Sequence, residues 1–494
     1  MGTLDWVVIG IFFLALIGII VWVVKQKQND SADYFLGGRD ATWLAIGASI
    51  FASNIGSEHL IGLAGAGASS GMAMAHWEIQ GWMILILGWV FVPFYSRSMV
   101  YTMPEFLERR YNPQSRTILS VISLISYVLT KVAVTVYAGG LVFQQVFGIK
   151  ELWGIDFFWI AAIGLVVLTA LYTIFGGMKS VLYTSVLQTP ILLLGSLIIL
   201  VLGFKELGGW DEMMSICSAV TVNEYGDTMT QLIRDNNDPN FPWLGALVGS
   251  AIIGFWYWCT DQFIVQRVLS GKNEKEARRG TIFGAYLKLL PVFLFLIPGM
   301  IAFALHQKYI GAGGEGFLPL LANGTANADA AFPTLVAKLL PAGVKGLVVC
   351  GILAALMSSL ASLFNSSAML FTIDFYKRFK PETPEKKLVG IGQIATVVIV
   401  ILGILWIPIM RSVGDVLYTY LQDVQSVLAP GIAAAFLLGI CWKRTSAKGG
   451  MWGLIAGMII GLTRLGAKVY YSNTAITDSS MFKYLFYDLN WLFF

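Results

Sequence analysis

Residues 53–59 read Ser-Asn-Ile-Gly-Ser-Glu-His and interrupt an apolar run that extends from residue 42 to residue 69. The run is long enough to cross a bilayer, which needs about 20 apolar helical residues. Non-helical backbone at that depth is tolerated only where it is buried in protein or lines a cavity. Carbonyl groups freed by a break are good ligands for a hard cation. The stretch therefore predicts a discontinuous membrane helix beside a cavity or an ion site.

The composition of the chain supports a membrane location. Of its 494 residues, 57% are hydrophobic and only 13% are charged, whereas soluble domains carry about 25% charged residues. The formal net charge of +4 is small and dispersed, so no nucleic-acid partner is expected. Three of the four cysteines lie in apolar runs, which argues against a disulfide framework or a metal knuckle.

Twelve segments are long and apolar enough to span the bilayer. Seven of them carry no charge, namely residues 6–24, 157–178, 180–204, 242–260, 346–373, 388–410 and 424–442. Five contain isolated ionisable or polar residues, namely 42–69, 74–95, 117–147, 280–305 and 447–469. A further apolar stretch begins near Met481 and reaches Phe494. We expect that stretch to be part of a helix that the given sequence truncates.

The distribution of Lys and Arg residues predicts the orientation of the spans. Alternate loops are rich in these residues, for example the loops around 267–279 and 377–387. Because basic loops stay on the cytoplasmic side, the pattern predicts an outer N-terminus and long outer loops at 205–241 and 306–345. A multi-pass protein of the plasma (inner) membrane is expected, with the lipid bilayer as its surroundings and no obligate protein partner.

Several ionisable residues lie inside these spans, where a charge at the bilayer centre costs roughly 2.5–3.5 kcal/mol. Lys131, Asp261 and Asp423 have an alternative structural reading, because such side chains also tie helices together or extend to the interface. Lys288 is harder to explain that way, since its span continues apolar for many residues. Glu78 lies near the outer end of its own span. If both face one cavity, they offer a donor and an acceptor to a neutral polyol.

The span 346–373 offers hydroxyl groups that match the broken stretch. Ser358 and Ser359 are adjacent and follow Ala355 by about one helical turn, so two hydroxyls and a carbonyl lie near one point. Serines in membrane helices also serve as small packing residues, and that reading stays open here.

The count of spans also suggests an internal repeat, because many transporters contain two inverted sets of helices, each led by a discontinuous helix. Without the first span, ten helices from residue 42 to about 442 divide into two sets of five. The predicted organisation is an N-terminal helix and inner loop at 1–41, a first repeat at 42–241, a second repeat at 242–446, and C-terminal helices at 447–494.

Several longer motifs carry a family resemblance. Residues 256–262 read Trp-Tyr-Trp-Cys-Thr-Asp-Gln, residues 286–289 Tyr-Leu-Lys-Leu, residues 298–300 Pro-Gly-Met, residues 357–360 Met-Ser-Ser-Leu and residues 364–366 Phe-Asn-Ser. Residues 103–107 and 176–180 add Met-Pro-Glu-Phe-Leu and Gly-Gly-Met-Lys-Ser. In this order, between about residue 33 and about residue 465, they resemble the sodium/glucose cotransporter family of solute:sodium symporters.

The resemblance implies an all-α polytopic membrane protein with the five-plus-five inverted-repeat (LeuT-like) transporter fold and an extra N-terminal helix. It also implies alternating-access import of a neutral aldohexose, such as glucose or galactose, together with sodium. The implied substrate-binding residues are Asn54, His59, Glu78, Tyr257, Trp258, Lys288 and Gln422. The implied sodium ligands are the carbonyls of Ala52, Ile55 and Ala355 with the hydroxyls of Ser358 and Ser359. The implied gate residues are Leu63, Trp77, Tyr257 and Tyr418.

The chain departs from the family pattern at a few positions. Ser185 stands where the family usually has an aspartate that is associated with a second cation site, so coupling to one sodium ion is expected. Gly81 and Gly254 stand where relatives often have polar side chains near the sugar. The identity of the hexose is therefore left open.

Two other functions are compatible with the sequence. One keeps sodium symport but changes the solute to an inositol, a sialic acid, an amino acid or a vitamin. A carboxylate-bearing solute would want a buried arginine, and spans 42–95, 117–204 and 280–305 contain none in their core. The other is a sugar-gated sensor or channel without coupled accumulation. An enzyme is not favoured, because no soluble catalytic domain or metal motif is evident.

Overall fold

A computed structural model of the chain describes residues 1–26, 30–56, 58–321, 324–413, 417–472 and 480–489. The helices up to the midpoint of the chain are α1 (Thr3–Val24), α2 (Ser31–Leu36), α3 (Trp43–Asn54), α4 (Ala64–Ser70), α5 (His76–Ile79), α6 (Met83–Ile86), α7 (Val92–Ser98), α8 (Met103–Arg110), α9 (Pro113–Ser126), α10 (Ala133–Phe147), α11 (Phe157–Leu207) and α12 (Trp210–Ser218). Those after it are α13 (Trp243–Gly254), α14 (Gln262–Leu269), α15 (Glu274–Leu287), α16 (Ile297–Gly311), α17 (Ala331–Leu339), α18 (Val344–Met369), α19 (Lys377–Phe379), α20 (Glu385–Val413), α21 (Leu417–Cys441), α22 (Ala447–Ser472) and α23 (Met481–Lys483).

Short turns connect many of these helices. π-helical turns cover Glu58–Leu63, Leu87–Phe91, Tyr127–Val132, Phe255–Thr260, Val292–Leu296, Leu370–Tyr376 and Tyr484–Asp488. Tighter 3-10 turns cover Gly37–Arg39, Gly71–Ala75, Gln80–Trp82 and Ala328–Ala330. Between α10 and α11, strands β1 (Glu151–Leu152) and β2 (Ile155–Asp156) form a two-residue antiparallel hairpin.

The membrane character predicted from the sequence is confirmed. Within the described residues, 8 helical segments are long and apolar enough to cross a bilayer, and three shorter apolar helices accompany them. Helix α11 joins two expected spans across Gly177, whose φ of 54° lies in the left-handed region that favours glycine. A side chain there would also collide with the Tyr34 carbonyl. Large apolar side chains such as Leu14 and Leu405 are exposed around the outside, where a bilayer solvates them.

The break predicted within residues 53–59 is present. Helix α3 ends at Asn54, Ile55 is extended with φ −79° and ψ 100°, and helical turns resume at Glu58. Ser57 lies outside the described residues. The segment thus changes from α-helix to extended backbone and back to helix within a few residues.

A second break follows the turn Phe255–Thr260. Asp261 is extended, with φ −73° and ψ 128°, and α14 starts directly after it. The Asp261 carboxylate caps α14 by accepting a 3.1 Å hydrogen bond from the Phe263 amide, as expected for aspartate before a helix. Two discontinuous helices are the hallmark of the inverted-repeat transporter fold.

Helix α18 forms the centre of the protein. Its residues from Val348 to Met369 are buried almost without interruption, and the helix packs against α3 and α11. Close approach elsewhere depends on small residues. A Cβ atom on Gly299 of α16 would collide with the carbonyl of Ala64 in α4, so glycine permits that helix pair to touch. The packing of α18 against α3 places α18 beside the break at the end of α3.

Candidate functional site

A small cavity lies between the two broken helices. Its walls come from the end of α3, α5, α13, the C-cap of α15, α21 and the turns Glu58–Leu63, Gln80–Trp82 and Phe255–Thr260. The lining residues are Asn54, Glu58, His59, Trp77, Glu78, Gln80, Ile253, Tyr257, Trp258, Lys288 and Gln425. The cavity measures about 50 Å³, which is room for a few water molecules. A six-membered ring solute would therefore have to displace side chains that now contact one another.

Three ionisable residues from different elements meet in this cavity. Lys288 Nζ lies 2.7 Å from Glu78 Oε2 and 2.8 Å from His59 Nε2. His59 Nε2 also lies 3.2 Å from Glu78 Oε1, and the side chains of this last pair are each only 5% exposed. The sequence placed Lys288 and Glu78 on separate spans as a possible donor and acceptor, and the fold brings them into contact.

The chemistry of this cluster suits a hydroxyl-rich solute. Lysine offers only donors and a carboxylate only acceptors, whereas His59 Nε2 accepts from Lys288 when it carries no proton and donates to Glu78 when it carries one. A hydroxyl group both donates and accepts. It can therefore insert between Lys288 and Glu78 and replace both halves of their contact. Nδ1 of His59 is buried without a partner among the described residues, and so it has capacity for a further hydrogen bond.

Asn54 and Tyr257 connect the two breaks directly. Asn54 Nδ2 donates a 2.9 Å hydrogen bond to the Tyr257 hydroxyl. Asn54 Oδ1 is buried and has no partner in the part of the chain that the structure describes. The Tyr257 and Trp258 rings meet edge to face, with centroids 4.8 Å apart. The cavity therefore has an aromatic wall and an amide with spare hydrogen-bonding capacity.

The expected gate residues fall into two groups. Leu63 and Trp77 are both buried, at 1% and 4% exposure, and Trp77 lines the cavity together with Tyr257. Tyr418 and Gln422 belong to α21, but their side chains lie outside the described residues.

The expected sodium ligands lie where α18 meets the end of α3. The Ser359 hydroxyl lies 2.7 Å from the Ser53 carbonyl and 3.4 Å from the Ile55 carbonyl. The Ser358 hydroxyl turns to Ser185 instead, at 3.2 Å. Ala52 and Ala355 are each 1% exposed in the same region. Hydroxyl and carbonyl oxygens at one point are the ligands that hard cations prefer.

Sequence reasoning missed some residues that line the cavity. Gln80, Gln425 and Glu58 were not predicted as site residues, although Glu58 belongs to the polar stretch 53–59. Gln425 follows the predicted Gln422 by three positions, which places both on one helical face. That spacing was a usable signal for Gln425, whereas nothing in the local sequence distinguishes Gln80.

A second buried ion pair lies next to Tyr257. Lys131 Nζ donates a 2.6 Å bond to Asp261 Oδ2, and Tyr127 donates to the other carboxylate oxygen. The same ammonium sits 4.6 Å from the Tyr257 ring centroid, a cation–π distance. The structural reading left open for Lys131 and Asp261 describes these contacts well, because the pair ties the span of Lys131 to the second break.

Arg267 was counted with the residues of a basic inner loop, and this interpretation was wrong. It belongs to α14 and is only 1% exposed. Its Nε donates a 3.2 Å bond to the Ser49 hydroxyl. The basic residues Lys272, Lys275 and Arg279 that follow it are exposed, so local composition could not distinguish it. Arg267 does not line the cavity of Lys288.

Comparison with known proteins gives the family of the chain. The family model of the sodium:solute symporter family matches residues 34–457. The chain belongs to this family. Human sodium/myo-inositol cotransporter 2 is 39% identical over 475 residues, which are 93% of this chain and 69% of that protein. Mouse sodium/glucose cotransporter 4 is 37% identical over 506 residues, which are 100% of this chain and 73% of that protein.

The solved structures add the fold. A sodium-coupled sialic acid symporter in a substrate-bound outward-open state superposes with a TM-score of 0.76 at 23% identity, covering 93% of this chain and 98% of that one. The predicted LeuT-like fold is therefore confirmed. As a sodium:solute symporter, the protein is a multi-pass membrane transporter, and sodium is its coupling ion. The family is one of transporters, in agreement with the expectation that the protein is not an enzyme.

Proposed function

We propose that this symporter imports a neutral monosaccharide, an aldohexose such as glucose or galactose, into the cell across the plasma membrane. The observation that carries the proposal is the buried contact of Lys288 with Glu78 and His59. These groups offer matched donors and acceptors but no uncompensated positive charge, and no arginine is among the described residues that line the cavity. An uncharged polyol meets those requirements, whereas a carboxylate does not.

The proposed contacts follow from the positions of the side chains. Hydroxyls of the solute bind Asn54, His59, Glu78 and Lys288, with Gln422 as a further expected contact, and the Tyr257 and Trp258 rings cover a ring face. Leu63, Trp77 and Tyr418 close the outer side, and Tyr257 the inner side. The proposed orientation has the N-terminus outside, and the proposed repeats remain 42–241 and 242–446.

The proposed sodium site explains coupling. Asn54 lies between Ser53 and Ile55, whose carbonyls face the Ser359 hydroxyl. A sodium ion held there by Ala52, Ile55, Ala355, Ser358 and Ser359 would fix the extended backbone. It would thereby orient the Asn54 side chain toward the solute. Coupling of this kind is reciprocal, so the solute raises the sodium affinity by the factor by which sodium raises the solute affinity.

Myo-inositol is the second candidate solute, because a human sodium/myo-inositol cotransporter matches at 39% identity. It is also an uncharged ring with hydroxyls, so the cluster around Lys288 does not by itself distinguish it from a hexose. The two differ in the ring oxygen and in the exocyclic hydroxymethyl group of the sugar.

The test is uptake into proteoliposomes with and without an inward sodium gradient. A panel of glucose, galactose, myo-inositol, sialic acid and an amino acid competes with a labelled hexose. We expect concentrative, sodium-dependent uptake that hexoses inhibit and charged solutes do not. Preferential uptake of sialic acid or of the amino acid contradicts the proposal. Equilibration without accumulation instead indicates a channel or a sensor.

A further inference from the structure

Arg267 is a buried cation without a counterion in the described part of the chain. It is 1% exposed, and its Nη1 and Nη2 atoms are buried with no hydrogen-bond partner among the described residues. Its guanidinium lies 4.9 Å from the Phe263 ring centroid, and Nε reaches the Ser49 hydroxyl. An unpaired buried charge is strongly unfavourable.

The nearby carboxylate does not neutralise this cation. Asp261 already binds Lys131 at 2.6 Å and accepts from Tyr127. Arg267 makes no ion pair with any carboxylate in the described residues. Around the second break, therefore, two buried cations share one buried carboxylate, which leaves one positive charge and two N–H groups of Arg267 unsatisfied.

Hydroxyl groups extend from Arg267 toward the proposed sodium site. Ser49 Oγ lies 3.5 Å from Ser185 Oγ, and Ser185 Oγ lies 3.2 Å from Ser358 Oγ. The Ser185 hydroxyl donates its own hydrogen to the Val181 carbonyl at 2.6 Å. Because Ser49 accepts the bond from Arg267 Nε, its own hydrogen can turn toward an anion. Guanidinium N–H groups and hydroxyl hydrogens beside one another form a donor set that suits an anion.

We propose that Arg267, with the hydroxyl of Ser49, binds a small monovalent inorganic anion beside Ser185, with chloride as the physiological occupant. A single negative charge balances the guanidinium, whereas a divalent anion such as sulfate would leave an excess negative charge buried in its place. The anion remains bound and is not transported. The proposal does not depend on which solute the symporter carries.

The first test measures thermal unfolding of the purified protein while chloride replaces gluconate at constant sodium. We expect the unfolding temperature of the wild type to rise saturably with chloride. Ser185→Asp places a carboxylate beside Ser49 and should weaken the apparent chloride affinity at least about tenfold, because the anion then meets a resident negative charge. Ser185→Asn introduces a side chain of nearly the same size as aspartate but without its charge, so this variant should keep the response to chloride.

Three outcomes overturn the proposal: equal unfolding temperatures of the wild type in chloride and gluconate, equal chloride responses of the two Ser185 variants, and a chloride response that survives Arg267→Gln. If Arg267→Gln does not fold, the pair of Ser185 variants decides. The assay contains no solute, so its result is independent of the uptake experiment that tests the transported substrate.

Discussion

The Ser359 hydroxyl donates a 2.7 Å hydrogen bond to the carbonyl of Ser53, the second-last residue of the helix that ends at the first break. The two residues are far apart in sequence, and this bond joins α18 to the backbone from which Asn54 extends toward the cavity. Binding or loss of an ion at the Ser359 hydroxyl therefore acts on Asn54, in the solute site, through Ser53 alone.

Replacing Ser359 should uncouple sodium from the solute. We expect Ser359→Ala to raise the sodium concentration for half-maximal solute binding about tenfold or more, since a hydroxyl bonded to a charged partner contributes roughly 1.5–3 kcal/mol. Solute binding measured at several sodium concentrations checks this. The control is Ser362→Ala, because Ser362 donates within its own helix to the Ser358 carbonyl. An unchanged sodium dependence in Ser359→Ala would show that the sodium site lies elsewhere.

Replacing His59 should affect binding of the solute more than activation by sodium. His59→Ala removes a side chain that contacts Glu78 and Lys288 but none of the proposed sodium ligands. We expect a weaker solute affinity with a smaller change in sodium activation, in the same binding assay. A larger effect on sodium than on the solute would contradict the assignment of His59 to the solute site.

Lys288 should be required for solute affinity. Lys288→Ala removes a buried charged donor, and we expect the apparent affinity for the solute to fall at least about tenfold. It also leaves the buried Glu78 carboxylate without its ammonium partner, with His59 as its remaining contact, and so lowers stability. The double variant Lys288→Met with Glu78→Gln removes both charges, so it should recover the unfolding temperature but not the uptake. Near-normal uptake by Lys288→Ala would exclude this side chain from the site.

The pair of Lys131 and Asp261 should be important mainly for stability. Lys131→Met leaves a buried carboxylate without its ammonium partner, which typically lowers the free energy of unfolding by about 3–5 kcal/mol. Adding Asp261→Asn should restore part of that loss. Thermal unfolding of the single and double variants gives the coupling energy. Independent, additive effects of the two changes would show that the contact contributes nothing.

One sodium ion should move with each solute molecule. Among the described residues, the Ser185 hydroxyl contacts the Val181 carbonyl and the hydroxyls of Ser49 and Ser358, and Ser49 in turn accepts a bond from the Arg267 cation. A second cation at this place would meet positive charge and, within the described part of the chain, no carboxylate bonded to Ser185 or Ser49 to offset it. Reversal potentials in proteoliposomes measure the stoichiometry, and two charges per solute would reject this prediction.

A carboxyl outside the spans predicts a pH dependence of stability. Burial raises the pKa of Asp329 to about 6, and its Oδ1 would lie 2.6 Å from a Cβ on Gly65 of α4. The folded protein therefore favours the protonated form. The stabilisation that the protonated Asp329 carboxyl contributes is complete below the ordinary pKa of 3.8. It is lost as the pH rises through the folded-state pKa of about 6. The unfolding temperature measured between pH 4 and 7 should therefore depend less on pH in Asp329→Asn than in the wild type. Identical pH profiles would contradict it.

The sequence by itself determined the membrane setting, the break after Asn54 and much of the candidate site. These features follow from local physics. A charge in an apolar run is expensive wherever it occurs, so Lys288 and Glu78 stand out without a structure. A polar stretch with glycine inside a span predicts a break for the same reason, and α3 does end at Asn54.

Only the tertiary structure decided which groups meet. Because burying a charge is unfavourable, a charged residue in an apolar span can be recognised in the sequence. The partner that offsets this cost comes from a distant part of the chain, so the sequence does not identify it. Lys131 could have remained at an interface, yet the fold places it 2.6 Å from Asp261. Arg267 looks like its exposed basic neighbours in sequence, yet α14 carries it into the interior. Adjacent Ser358 and Ser359 look equivalent, but successive helical positions point about 100° apart, so one hydroxyl faces Ser185 and the other the break.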